Sequence, residues 1–157
     1  MTHAVVMKLV DPVKNRGHHV YTDNFYTSPI LFADLRRNGC GACGTLRLNR
    51  KGIPPEIKRP ISKGETKVVD VDDTMKVIKW SDKREVTLLT TIDQPGHVSV
   101  QRRNRHTPNG LETVQKPTAI AEYNRYMGGV DRADQLLSYY GFAHRTVKWW
   151  RRAFFPA

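Results

Sequence analysis

The chain is 157 residues long, 39% hydrophobic with three Trp, six Tyr and five Phe, and its 26 Lys and Arg outnumber 15 Asp and Glu to give a formal charge of +11. That length supports one core and little beyond one domain, and the hydrophobic and aromatic content argues for a globular body over a disordered tail. The basic excess favours a polyanionic partner, nucleic acid first, over a merely solvated Lys/Arg surface.

Residues 4–10 form a short apolar run, read as a first helix, that Asp11-Pro12 stops. Val20, Tyr21 and Thr22 read as the end of a strand, with Asp23 at its tip. Ser28 followed by Pro29 predicts a helix cap with proline at the first helical position, and Asn38-Gly39 closes that helix. Residues 45–48 alternate and predict the next strand. This helix–strand–helix–strand order is that of an α/β layer.

Past Gly52-Ile53-Pro54-Pro55 the character changes. Three β-prone runs, 67–71, 75–80 and 85–92, are separated by Asp72-Asp73 and Ser81-Asp82-Lys83, and 97–101 is a fourth candidate. They predict an antiparallel meander inserted into the α/β unit, and residues 102–117 read as a basic connector. Helix spacing returns with Ala119, Ile120, Tyr123 and Met127, up to Gly128-Gly129. A second helix follows from about Val130 through Leu136, Leu137 and Tyr140. A third, over 145–155, sets Val147, Trp150 and Phe154 opposite Arg145, Lys148 and Arg152. The segments are thus 1–50, an α/β core segment; 51–117, a β-rich insertion and connector; and 118–157, a helical return to the core.

No run has the length of a membrane-spanning helix, and no basic start with a long apolar segment marks a secretory signal. Two cysteines make no disulfide framework, so an intracellular, reducing setting is expected.

Three aspartates are the candidates for chemistry. Asp131 and Asp134 lie three residues apart after the Gly-Gly pair, on one face if a helix starts there, and Asp23 ends a strand far upstream. Carboxylates so placed suit a hard divalent cation and metal-assisted phosphoryl transfer. Their plainer readings are an Asx turn or cap at Asp23, a dipole-favoured first-turn acid at Asp131, and a solvated Asp134. Cys40 and Cys43 form a CxxC at an expected helix exit, and His18 and His19 would complete a zinc site only if the fold brought them close. Trp149 among Arg145, Lys148 and Arg152, and the run Arg102, Arg103, Arg105, mix stacking and phosphate-binding groups and are candidate nucleic-acid contacts.

Several blocks resemble the piggyBac transposase family in order: Asp23-Asn24-Phe25-Tyr26-Thr27-Ser28, Gly44-Thr45-Leu46-Arg47, Asn49-Arg50-Lys51-Gly52-Ile53-Pro54, and Trp80-Ser81-Asp82-Lys83. Tyr123-Asn124, Gly128-Gly129-Val130-Asp131, Asp134-Gln135 and Arg145-Thr146-Val147-Lys148-Trp149-Trp150 complete the match. The resemblance implies a partial RNase H-like core with a β-rich insertion, and Asp23, Asp131 and Asp134 as the second, third and fourth acids of a Mg2+ or Mn2+ site. It further implies DNA as partner, a homodimer, and the nucleus. The family's first catalytic aspartate lies upstream of the Asp23 block, whereas here 22 residues precede Asp23 and the sole acid among them is Asp11. The expectation is therefore a truncated catalytic domain, inactive as this chain and with weak or absent metal binding. The alternatives are a basic non-catalytic module for nucleic acid or protein, and a chain that does not fold alone.

Overall fold

The computed structural model describes residues 2–92, 96–105, 107, 109–129, 132, 135 and 136. Helix α1, Thr2–Val10, runs into a 3-10 turn at Asp11–Val13, and strand β1 follows at His19–Thr22. Helix α2 spans Pro29–Arg37, where the Ser28 side chain accepts the Leu31 amide at 3.3 Å and so satisfies one of the orphan donors of the first turn. Gly39 ends it with φ of +67°, the left-handed conformation glycine adopts without a Cβ penalty.

Strand β2 occupies Gly41–Thr45, not the expected 45–48. The Gly-rich composition hid it, because glycine lowers strand propensity, but here glycine allows close approach. A Cβ at Gly41 would meet the His19 ring carbon at 2.9 Å, and one at Gly44 would meet the Thr22 carbonyl oxygen at 2.6 Å. Parallel pairing of β1 and β2 depends on these gaps.

The expected meander is present as β3 (Thr66–Asp72), β4 (Met75–Ser81) and β5 (Glu85–Thr90). Its strands share one sheet with the first two, in the order β1-β2-β5-β4-β3, and β5 bonds antiparallel to β2 through Cys43–Thr90 and Thr45–Leu88. Residues 102–117, expected as a connector, belong largely to a two-stranded ribbon of β6 (His97–Arg103) and β7 (Leu111–Pro117). Their register sets Arg102 opposite Glu112, an opposite-charge pair that stabilises the ladder. The isolated count of Arg residues concealed that pairing.

Helix α3, Thr118–Met127, follows β7 directly. The sheet is covered on both faces. Val6, Val10, Leu31, Phe32 and Leu35 of α1 and α2 pack with Ala42, Val77 and Leu89 in one cluster. Ala119 and Ile120 of α3 pack with Cys43, Ile78, Trp80 and Leu88 in the other. Alternation along β2, Ala42 to one cluster and Cys43 to the other, is the period-two signature of a doubly covered strand. Among the described residues no helix is long and apolar enough to cross a membrane.

Candidate functional site

Asp23 stands one residue past the end of β1 and is exposed. Its carboxylate folds back on its own turn, where Oδ1 accepts the amides of Phe25 at 3.1 Å and Tyr26 at 3.3 Å. The Asx-turn reading is therefore correct as geometry. Both of these bonds fall on the one oxygen, Oδ1. Behind the turn, the buried Thr27 hydroxyl donates to the Asp23 carbonyl at 2.7 Å and lies 2.8 Å from the Thr22 hydroxyl.

Two arginines brace the turn from outside. Arg47 Nε donates to Asn24 Oδ1 at 3.0 Å, and Arg50 Nη2 donates to the carbonyls of Phe25 at 2.7 Å and Asn24 at 3.3 Å. Both come from the loop after β2, so parallel pairing of β1 and β2 delivers them beside Asp23. Sequence reasoning assigned neither a role. Their block was legible as a motif, but its contact with the Asp23 turn depends on the strand pairing.

Helix α3 is seated on the same strands. The Tyr21 and Tyr126 rings stack with centroids 5.0 Å apart, and Tyr123 Oη lies 3.3 Å from Thr45 Oγ1. Burial raises the pKa of the Tyr123 hydroxyl, the Thr45 bond opposes that rise, and the negative charge of Asp23 adds to it. Burial also pushes Tyr21 up to about 12, with the Glu122 charge assisting, and pushes the Cys43 thiol up to about 12.

Past α3, Gly129, Arg132, Gln135 and Leu136 are helical, and the Arg132 amide bonds to the Gly128 carbonyl at 3.1 Å. Asp131 and Asp134 lie outside the described residues, as do Arg145, Lys148, Trp149 and Arg152. Among the described residues no three His, Cys, Asp or Glu side chains form a metal-binding group. Cys40 and Cys43 are free, buried and divided between the two core clusters, so the CxxC does not converge on one ion.

The basic run divides. Arg102 is held by Asp82 and, at 2.9 Å, by Glu112, which raises its own pKa and keeps both carboxyls below their usual range. It ties the ribbon to the β4–β5 turn. Arg103 and Arg105 are exposed at the end of the ribbon.

The family model described as Transposase IS4 matches residues 1–156. The human PiggyBac transposable element-derived protein 2 is 28% identical over 155 residues, which is 94% of this chain and 26% of that protein. The human PiggyBac transposable element-derived protein 3 is 30% identical over 137 residues, 85% of this chain and 23% of the relative. The chain thus spans about a quarter of the length of these curated relatives. The cryo-EM structure of a piggyBac transposase synaptic complex with hairpin DNA superposes with a TM-score of 0.77 at 25% identity, covering 98% of this chain and 31% of that one.

Proposed function

The chain belongs to the Transposase IS4 family, with piggyBac-derived proteins among its relatives, and on that premise we propose that it is a transposase-derived module that engages DNA. The supporting observation is the seat of α3. It brings the Tyr123–Met127 part of one motif block onto the strands whose tip carries Asp23, as a catalytic domain assembled from distant segments requires. On this reading the β1–β2 unit with its helices is the RNase H-like part, and β3 to β7 are the β-rich insertion.

Asp23, with Asp131 and Asp134, would hold Mg2+ or Mn2+, since Asp23 Oδ2 is the kind of oxygen such ions take. A bound ion would steady the attacking and leaving oxygens of a phosphoryl transfer. The chain's own part is to hold Asp23 still, through the Thr27 bond and the Arg47 and Arg50 braces. In the sequence at hand the acid ahead of Asp23 is Asp11, whose carboxylate pairs with Lys14 at 2.6 Å on a separate turn. Binding, without cleavage, is the activity proposed for this chain. Arg103 and Arg105, with Arg145, Lys148, Trp149 and Arg152, are the proposed contacts. A nuclear location and a homodimer belong to the same proposal and are checked by imaging a tagged chain and by light scattering.

The deciding experiment pairs duplex-DNA anisotropy over a salt series with a nicking assay in Mg2+ or Mn2+. Binding that weakens steeply with salt, without nicking, is the expected result. Robust cleavage lost in Asp23→Asn would overturn the non-catalytic part, and undetectable binding at low salt would overturn the DNA part.

A further inference from the structure

Phe25 and Tyr26 directly follow Asp23 and are left in water, Phe25 50% and Tyr26 37% exposed. Their rings meet edge to face, with centroids 5.1 Å apart and planes at 88°. The turn that carries them is not loose. Both amides are tied to Asp23 Oδ1, the Phe25 carbonyl is held by Arg50, and Thr27 closes the turn behind them. Two rings are therefore presented outward on a backbone held by six hydrogen bonds, beside the Asp23 carboxylate. Tyr126, by contrast, is exposed yet stacks on Tyr21 as part of the α3 seat.

We propose that the Phe25–Tyr26 pair is a stacking site for a nucleobase lifted out of the duplex next to the phosphate that Asp23 faces. The inference rests on the DNA reading above. Aromatic faces accept any base without reading its edge, so the site is tolerant of sequence and selective for bases that have left the stack. Charge points the same way. The guanidiniums of Arg47 and Arg50 lie against this turn in a chain of formal charge +11, which suits a ligand of rings and phosphates better than an apolar protein segment. Paired bases hide their faces from a surface turn, so the ligand is an unpaired base.

The test uses the 157-residue chain with three oligonucleotides of one sequence: a paired duplex, a duplex with a two-base unpaired bubble containing 2-aminopurine, and a single strand. Wild type, Phe25→Ala, Tyr26→Ala and Phe25→Tyr are compared, with circular dichroism melts confirming the fold. Wild type and Phe25→Tyr are expected to prefer the bubble over the paired duplex by about tenfold and to quench the 2-aminopurine. Both alanine variants are expected to lose the preference and keep their affinity for paired duplex. Equal binding of bubble and duplex by wild type, or a preference untouched by either alanine, overturns the stacking site and leaves the DNA reading standing. No binding to any oligonucleotide at low salt overturns both. Should the alanine variants not fold, absence of quenching in wild type or Phe25→Tyr overturns the proposal by itself.

Discussion

Thr27 closes the turn that presents Asp23: its hydroxyl donates to the Asp23 carbonyl at 2.7 Å and its amide to the same oxygen at 3.1 Å. Thr27 is fully buried, and the Thr22 hydroxyl 2.8 Å away shares its bonding. Thr27→Val keeps the shape and the amide bond but removes the hydroxyl, leaving the buried Thr22 hydroxyl without its Thr27 partner. The expected loss is about 1–3 kcal/mol in urea unfolding, with Thr27→Ser clearly milder. A valine variant as stable as wild type would mean the hydroxyl pair does not hold the turn.

Gly44 tests strand pairing at the same place. An alanine there would put its Cβ 2.6 Å from the Thr22 carbonyl, a backbone atom that moves only if β1 moves. Gly44→Ala should cost roughly 1–3 kcal/mol or more by overpacking. Faster amide exchange in residues 19–22 than in residues 76–81 would locate the damage in β1.

Arg102 and Arg103, adjacent in sequence, are expected to behave differently. Arg102 is occupied by Asp82 and Glu112, whereas Arg103 is exposed. Arg102→Gln should lower the melting temperature and leave the salt dependence of DNA binding unchanged. Arg103→Gln should leave the melt alone and reduce the salt slope by about one. Because Arg102 keeps the carboxyls of Asp82 and Glu112 below their usual range, its contribution is full above about pH 4.5 and fades as pH falls through the lowered values. The melting difference between wild type and Arg102→Gln should therefore shrink in acid.

Alkaline titration reports on the packing of α3 against the sheet. Below pH 9 the Cys43 thiol is protonated in folded and unfolded chains alike. Above its ordinary value of 9.0 the unfolded chain releases the proton, while the folded one keeps it until about pH 12. Stability must then fall with rising pH, approaching about 1.4 kcal/mol per pH unit for one such group. Tyr21, raised from 10.0 to about 12, adds to the fall above pH 10. Cys43→Ala should flatten the slope between pH 9 and 10 in urea melts. An unchanged slope would show that the thiol is not sequestered.

Much of this molecule was legible in its residues because local rules governed them. Ser28-Pro29 and Asn38-Gly39 bounded α2 where caps require, and the β-prone runs bounded by Asp72-Asp73 and Ser81-Asp82-Lys83 became β3, β4 and β5. The position of Asp23 at a strand tip also followed from local pattern. What depended on pairing between distant segments did not. A glycine-rich stretch became β2 because a partner strand needed the space of missing side chains, and a basic run became half of a ribbon because Arg102 found Glu112 and Asp82. The bracing of Asp23 by Arg47 and Arg50, and the seat of Tyr123 and Tyr126 beside it, arise from contacts across 23 to 105 residues of chain. Propensity and periodicity act over one or two turns, so sequence alone determined those elements whose caps, turns and β-prone runs are local. Only tertiary structure decided which of those residues meet, because such meetings follow from strand register and core packing, which no local pattern encodes.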